Sequence, residues 1–411
     1  MNYFLYSLRH RHWLMLCLAF ANSWVSARAD EFYPSMRQQV QMGVDVWHIF
    51  PSNASRYLAL PNATVWTYRP VSPWVTVDGS VWLSNQLAMN LRARADQGLG
   101  THVEELNASW AISPKLGVNA GVVSYKTTWC RTYEADSPWV RESNPFCTVS
   151  TTSDSVGGAP GLEVYTKFSV ANYLLQAQMG VYRPLVFNYN TTEFSTAPYP
   201  NASVYKNSKT GFSMSALNLD TASELRFGFL HTKQAEHVGA TSLAESFDNQ
   251  QIYDVIFVGG SFYLAPSVYL RAQTMRHNMT ASYWSEPWSN WPSYRGGVDL
   301  LRSSNALEIG YRQSSKDVMA MSVSEYLYDN SFVATLYPLA GYNRYPHQFV
   351  YRNKSISASW RHDWDAHFFT SLQLTRSAFR SQTPSANNID PSTYRNERGY
   401  SVGVRLGYQF D

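Results

Sequence analysis

The stretch Tyr400-Ser401-Val402-Gly403-Val404-Arg405-Leu406-Gly407-Tyr408-Gln409-Phe410 alternates without a break. Its even positions are Tyr400, Val402, Val404, Leu406, Tyr408 and Phe410. Its odd positions are Ser401, Gly403, Arg405, Gly407 and Gln409. One face is wholly apolar with aromatics at both ends, and the other is small or polar. Period-two alternation of this kind is a β-strand. In a soluble sandwich a second sheet must cover the apolar face; in a membrane barrel the acyl chains do so.

The same design recurs upstream. Leu87, Met89, Leu91, Ala93 and Ala95 oppose Asn90, Arg92, Arg94 and Asp96. Leu106, Ala108, Trp110 and Ile112 oppose Glu105, Asn107 and Ser109, and Leu116, Val118, Ala120 and Val122 oppose Asn119 and Gly121. Leu175, Ala177, Met179 and Val181 oppose Gln176, Gln178 and Gly180. Val268, Leu270 and Ala272 oppose Tyr269, Arg271 and Gln273. Tight turns are marked by 113–115, 170–171, 220–221, 265–266, 314–315 and 364–365. Long polar stretches lie between them at 128–159, 184–208, 234–248, 278–299, 329–348 and 380–397. Short turns on one side and long loops on the other define an all-β, transmembrane antiparallel β-barrel.

Strands are expected near 37–49, 72–82, 86–95, 101–112, 116–127, 160–169, 172–183, 209–219, 222–233, 249–263, 266–277, 300–313, 316–328, 349–362, 366–379 and 398–410. That makes about 16. The first two are the weakest: if residues 30–80 form a periplasmic or plugging segment, about 14 remain.

The ends and the composition agree with export. Arg9 to His12 form a basic cluster, Trp13 to Ala21 an apolar run, and Ala27-Arg28-Ala29 a cleavage pattern. Residues 1–29 read as a signal peptide, leaving 30–411 as the barrel. The run is too short to cross about 30 Å of hydrocarbon as a helix. Cys17 lacks the small residues of a lipoprotein signal before it. Removing 1–29 takes away Arg9, Arg11 and Arg28 and no acid, so 30 basic and 30 acidic residues remain. No basic excess exists to drive nucleic-acid binding. Charged residues are 15% of the chain, below the roughly 25% of soluble proteins. No stretch after residue 29 approaches the about 18 apolar residues of a membrane helix. Cys130 and Cys147 are an even pair in an exported chain and point to a disulfide. Its 18-residue loop contributes about 3 kcal/mol in the chain-entropy model.

The segment Val103-Glu104-Glu105-Leu106, Ser109-Trp110-Ala111-Ile112-Ser113-Pro114 and Leu116-Gly117-Val118-Asn119-Ala120-Gly121 resembles the fourth and fifth strands of Gram-negative porins, in particular porin-like proteins of marine gammaproteobacteria. Ser137-Pro138-Trp139-Val140-Arg141 occupies the place of a family loop stretch, and Gly161-Leu162-Glu163-Val164 that of the sixth-strand opening. The resemblance covers roughly residues 72–183 and the C-terminus. It implies a 16-stranded outer-membrane diffusion channel for ions and small hydrophilic solutes, with the long loop at 128–159 folded inward as a constriction. It also implies a homotrimer, lipid and lipopolysaccharide as surroundings, and delivery by the β-barrel assembly machinery, which reads the terminal aromatic Phe410. Two departures stand out: Phe410 is followed by Asp411, and cysteines bracket the loop.

In such a channel, selectivity comes from pore radius and lining charge. Arg92, Arg94, Arg271 and Arg405 are the wall candidates, with Glu105 and Glu163 on lumen faces by alternation. Glu134, Asp136 and Glu142 are the loop candidates. The plainer reading is that the arginines neutralise wall carboxylates. Tyr165, Tyr182 and Tyr269 fall on lumen faces, either as a stacking track or as wall packing; Trp284, Trp288 and Trp291 cluster in a long loop. No enzymatic role is expected: His237, His277, His347, His362 and His367 have no nucleophile-elbow motif near them. Neither a cofactor motif nor a metal-ligand spacing occurs. Two other readings keep the fold: a hydrophobic-solute transporter plugged by residues 30–80, with Trp47, Phe50, Trp66 and Trp74 lining a greasy path, and a closed structural or adhesive barrel.

Overall fold

The computed structural model describes residues 36–50, 71–96, 100–124, 137–140, 145–147, 158–182, 202–238, 247–285, 293–337, 344–383 and 393–410. The first strands are β1 Met36–Phe50, β2 Val71–Trp82, β3 Leu87–Asp96, β4 Gly100–Ser113 and β5 Leu116–Ser124. A 3-10 turn, Pro145–Cys147, lies in the connection that follows. Then come β6 Gly158–Val170, β7 Tyr173–Tyr182, β8 Ala202–Asn218, β9 Glu224–Val238, β10 Phe247–Ala265 and β11 Val268–Ser285. The last are β12 Ser293–Arg312, β13 Asp317–Tyr337, β14 Arg344–Asp363, β15 Phe368–Thr383 and β16 Thr393–Phe410.

Each strand pairs antiparallel with its neighbours in sequence, and β1 pairs with β16, so the sheet closes into a barrel of 16 strands. The closing register runs from Val40↔Phe410 to Phe50↔Tyr400. Met36 pairs with Val81 beside the short turn at 83–86, so both described ends of the barrel lie on the short-turn side. The 14-strand alternative and the plug at 30–80 are thereby corrected. Residues 36–50 and 71–82 are wall, with Gln41, Asp45 and Trp47 buried inward and Met42, Val46 and Phe50 exposed outward. Trp74 belongs to the wall too; Trp66 lies outside the described residues. Pro73 obscured the second strand. It sits beyond the last β2–β3 pair, Trp74↔Asp96, where a missing N–H is tolerated.

The outward face is apolar over a wide belt. Met179, Met321, Leu374, Ile356 and Val323 are all more than half exposed, a surface that lipid covers. The inward face is small or polar. Five short connections obey one rule: a serine, asparagine or aspartate at the turn accepts the next backbone N–H groups. Ser84 takes Leu87, Ser113 takes Leu116, Asn218 takes Asp220 and Thr221, Ser314 takes Asp317, and Asp365 takes His367 and Phe368. The turn after Val170 instead holds Ala171 at φ 49°, the left-handed region that shapes a two-residue hairpin.

The strands of the second half are longer than their alternation suggests. β13 has 21 residues and β5 only 9. The stretches expected as loops at 278–299 and 329–348 are largely ladder, as are parts of 184–208, 234–248 and 380–397. Backbone pairing continues where side chains no longer alternate, because the ladder bonds do not depend on which faces are apolar.

Candidate functional site

The lumen is the site, and its walls differ. On β16, β1 and β2, Asp45 receives two hydrogen bonds from Arg405, Nε at 2.9 Å and Nη2 at 3.0 Å, and one from Trp74 Nε1 at 3.0 Å. The Arg405 guanidinium also lies over the Trp74 ring, 5.1 Å from its centre. Asp45 is 0% exposed and Arg405 4%. A buried carboxylate persists only when paired and hydrogen-bonded in this way. One strand further, Arg92 grips Asp78 Oδ2 through Nε at 2.9 Å and Nη2 at 2.7 Å, both side chains being partly exposed. Glu105 stands opposite Arg92 in the ladder and accepts Asn107 Nδ2 at 2.8 Å. Glu163 is buried, accepting Tyr182 Oη at 2.5 Å and Asn119 Nδ2 at 3.3 Å.

The far wall, β11 to β15, carries small hydroxyls. Ser322, Ser324, Ser355, Ser357, Ser359, Ser371, Thr375 and Ser377 are all buried. Ser324 bonds Ser355 at 2.7 Å and Ser357 bonds Thr375 at 2.9 Å. Short side chains leave room on this wall, and the loop after β5 uses it. Trp139 donates Nε1 to Glu308 Oε2 at 2.5 Å. The Val140 N–H donates to Gln373 Oε1 at 3.0 Å, and Gln273 Nε2 donates to the Phe146 carbonyl at 2.9 Å. Trp139, Val140 and Phe146 are at most 1% exposed. Phe146 is packed into a cluster of lumen-facing apolar groups that includes Leu230, Val255, Phe257, Met275 and Tyr326. The described segments of the loop, 137–140 and 145–147, are thus folded into the barrel and bonded to β11, β12 and β15.

Arg271 belongs to this docking zone. Its guanidinium lies 5.5 Å from the Phe146 ring centre and 5.6 Å from that of Tyr269, and it stands opposite Glu308 in the ladder. The side chain of Arg94 lies outside the described residues, as do Cys130, Glu134, Asp136, Glu142, Trp288 and Trp291 and the side chains of Cys147 and Trp284. The tyrosines lie on the wall: Tyr269 covers Gly310, where any Cβ would sit 2.0 Å from the ring, and Tyr165 covers Gly117 in the same manner. Phe410 ends β16 on the outward face, 43% exposed and 4.7 Å from the Tyr408 ring centre.

Asp45, Glu308 and Gln373 were not singled out from sequence, and Gln273 was placed on a polar face without a role. The signal was present: Glu308 stands between Leu307 and Ile309, and Gln373 between Leu372 and Leu374, the pattern that marks Glu163. Among the described residues, no three His, Cys, Asp or Glu side chains converge as a metal site. His362 bonds Asp317 at 2.8 Å, but the nearby Ser314 hydroxyl is also turned to Asp317, at 2.9 Å. That is a turn network, without a serine aimed at the imidazole.

Comparison with protein-family models gives no match, and comparison with curated proteins gives none. Solved structures are similar in fold. The outer membrane channel DcaP of Acinetobacter baumannii is 8% identical with a TM-score of 0.51, over 93% of this chain and 99% of that one. In-vitro folded OmpT of Vibrio cholerae, in its trimer form, is 10% identical with a TM-score of 0.48, over 92% and 100%. An anion-selective porin from Comamonas acidovorans is 10% identical with a TM-score of 0.44, over 92% and 99%. At these identities the likeness is one of fold.

Proposed function

We propose that this chain is an outer-membrane porin, a passive diffusion channel for ions and small hydrophilic solutes, and that its 128–159 loop narrows the lumen. The observation that carries the reading is the loop's seat. Its described segments are bonded to the hydroxyl wall through Trp139, Val140 and Phe146, while ion-paired Arg92 and Asp78 line the wall away from it and stay partly exposed. A barrel of this strand number is wide enough for an aqueous channel, and a loop held on one side constricts it. Selectivity then depends on radius and charge, and no bond is made or broken.

The reading includes cleavage before Asp30, a Cys130–Cys147 disulfide stapling the loop, Phe410 as assembly signal, lipopolysaccharide in the surrounding membrane, and a homotrimer. Arg94, Glu134, Asp136 and Glu142 are assigned to the constriction with Arg92, Glu105 and Arg271, while Glu163 and Arg405, buried in wall pairs, hold the wall behind it. The test is single-channel recording of the mature protein in a planar bilayer under a salt gradient, before and after a reductant. Large stable steps of modest ion selectivity that change on reduction support the porin and its stapled loop. A silent bilayer with heat-modifiable, folded protein moves the assignment to the closed structural barrel. Cross-linking in detergent reads the trimer, and intact mass reads the cleavage and the disulfide.

A further inference from the structure

The outward face of β14 to β16 changes character abruptly. On β16 the outward residues from Phe410 to Tyr400 are apolar or aromatic. Ten steps at about 3.3 Å, tilted by about 40°, cover about 25 Å, the height of the apolar band of such barrels. The next outward residue is Arg398. At the same level the ladder places Arg398 opposite Ala378 and Ala378 opposite Lys354. Arg376 and Arg380 flank Ala378 along β15, on its own face. A small side chain is therefore ringed by four cations, two along its strand at about 7 Å and two across it at about 5 Å.

Arg352 adds a fifth, directly opposite Arg380. Like charges in direct cross-strand opposition destabilise a sheet, and cations facing hydrocarbon cost more. Among the described residues, the carboxylates on this outward surface lie at its β13 edge: Glu325, which bonds Arg352 and stands 3.5 Å from Lys354, and Asp329. Glu325 is three strands from Arg398. Arg376 lies over the Tyr400 ring, 5.9 Å from its centre, at the upper margin of the apolar belt.

We propose that the notch over Ala378, ringed by Lys354, Arg376, Arg380 and Arg398, binds a phosphate carried by a lipid headgroup of the outer leaflet. The chemistry follows from the ring. A phosphate offers several acceptor oxygens to guanidinium forks, fits over a methyl group, and relieves the opposed cations. Its source is a lipid because the notch opens sideways, at the level where headgroups begin. This assignment rests on the reading of the outward face as lipid-covered.

The experiment compares the mature barrel in phosphatidylcholine vesicles with and without bisphosphorylated lipid A. Readouts are the unfolding temperature and the lipid A retained after detergent extraction and measured by mass spectrometry. Wild type should retain at least fivefold more lipid A than R380Q/R398Q, and A378L, which fills the notch without changing charge, should match that variant. R380K/R398K should recover most of the retention. Arg276→Gln, an outward arginine on β11 far from the ring, should behave as wild type. Equal retention in all variants would overturn the site while leaving the barrel reading intact. Stabilisation by inorganic phosphate alone would overturn the lipid as source. Failure to enter any bilayer would overturn the reading beneath and the site with it.

Discussion

Two buried carboxylates in one lumen are kept by different means. Asp45 is held by the wall itself, by Arg405 and Trp74 on the strands to either side. Glu308 is held in part by a visitor, Trp139 of the inward loop. Both are 0% exposed, so both depend on hydrogen-bonding partners to offset their burial. The difference is what each pairing fixes. The Asp45 cluster fastens β16 to β1, where the barrel closes, and the Glu308 contact seats the loop on a barrel already closed. Loss of the first should therefore appear in stability, and loss of the second in the channel.

The largest expected effect breaks the first cluster. Arg405→Met leaves Asp45 buried without its ion-pair partner, a change that costs about 3–5 kcal/mol. Urea unfolding in lipid vesicles, followed by tryptophan fluorescence, measures it. D45N/R405M should regain most of the loss, since replacing both partners of a buried pair is close to neutral. A single variant within about 1 kcal/mol of wild type would erase the distinction between the two carboxylates.

Glu308→Ala comes next. It removes a charge-assisted hydrogen bond worth about 1.5–3 kcal/mol, but the cost is shared with the loop, which can leave. Conductance should rise and become noisier while heat-modifiable mobility is retained; unchanged conductance would mean that Trp139 does not govern the passage. Gln273→Ala is milder still. It deprives the Phe146 carbonyl of its donor, at about 1 kcal/mol, and should reproduce the direction of the Glu308 effect at a smaller size.

The smallest effect lies outside both regions and serves as their control. Asp365, in the β14–β15 turn, has its carboxyl held below the usual range by the N–H of Phe368 and then that of His367. A lowered folded-state value means its stabilisation is complete above about pH 4 and disappears as pH falls through that lowered value. Asp365→Asn should unfold at a slightly lower temperature than wild type at pH 7 and indistinguishably in strong acid, with conductance unaltered. Thermal melts at the two pH values decide it.

All sixteen strands were legible because lipid on one side forces alternation on every residue that crosses it. Leu162-Glu163-Val164 and Leu406 beside Arg405 announce which groups face inward. The tops of β10 to β14 were not legible, since above the apolar belt neither face needs to be greasy and only the backbone ladder remains. β1 and β2 were weak for local reasons, Pro73 among them. The site was half legible. Alternation gives the inward face of Glu308 as surely as that of Glu163, yet nothing local says that Trp139, 169 residues earlier, will reach it. Who meets across a lumen is decided by barrel closure and by the room the serines of the far wall leave.

Barrel closure has an order in time. The strands that meet last in space are the first and the last in sequence, and the Arg405–Asp45 contact joins residues 360 apart. Every other wall pairing links consecutive strands through a turn or loop. Consecutive hairpins can form as the chain grows, each with a modest loop-closure cost, but the seam must wait for β16. Until then the sheet has two open edges, each an invitation to pair with another chain, and Asp45 lacks its cation. Before β16 is in place the chain is a curled, aggregation-prone sheet: the pairing of β16 with β1 turns it into a vessel.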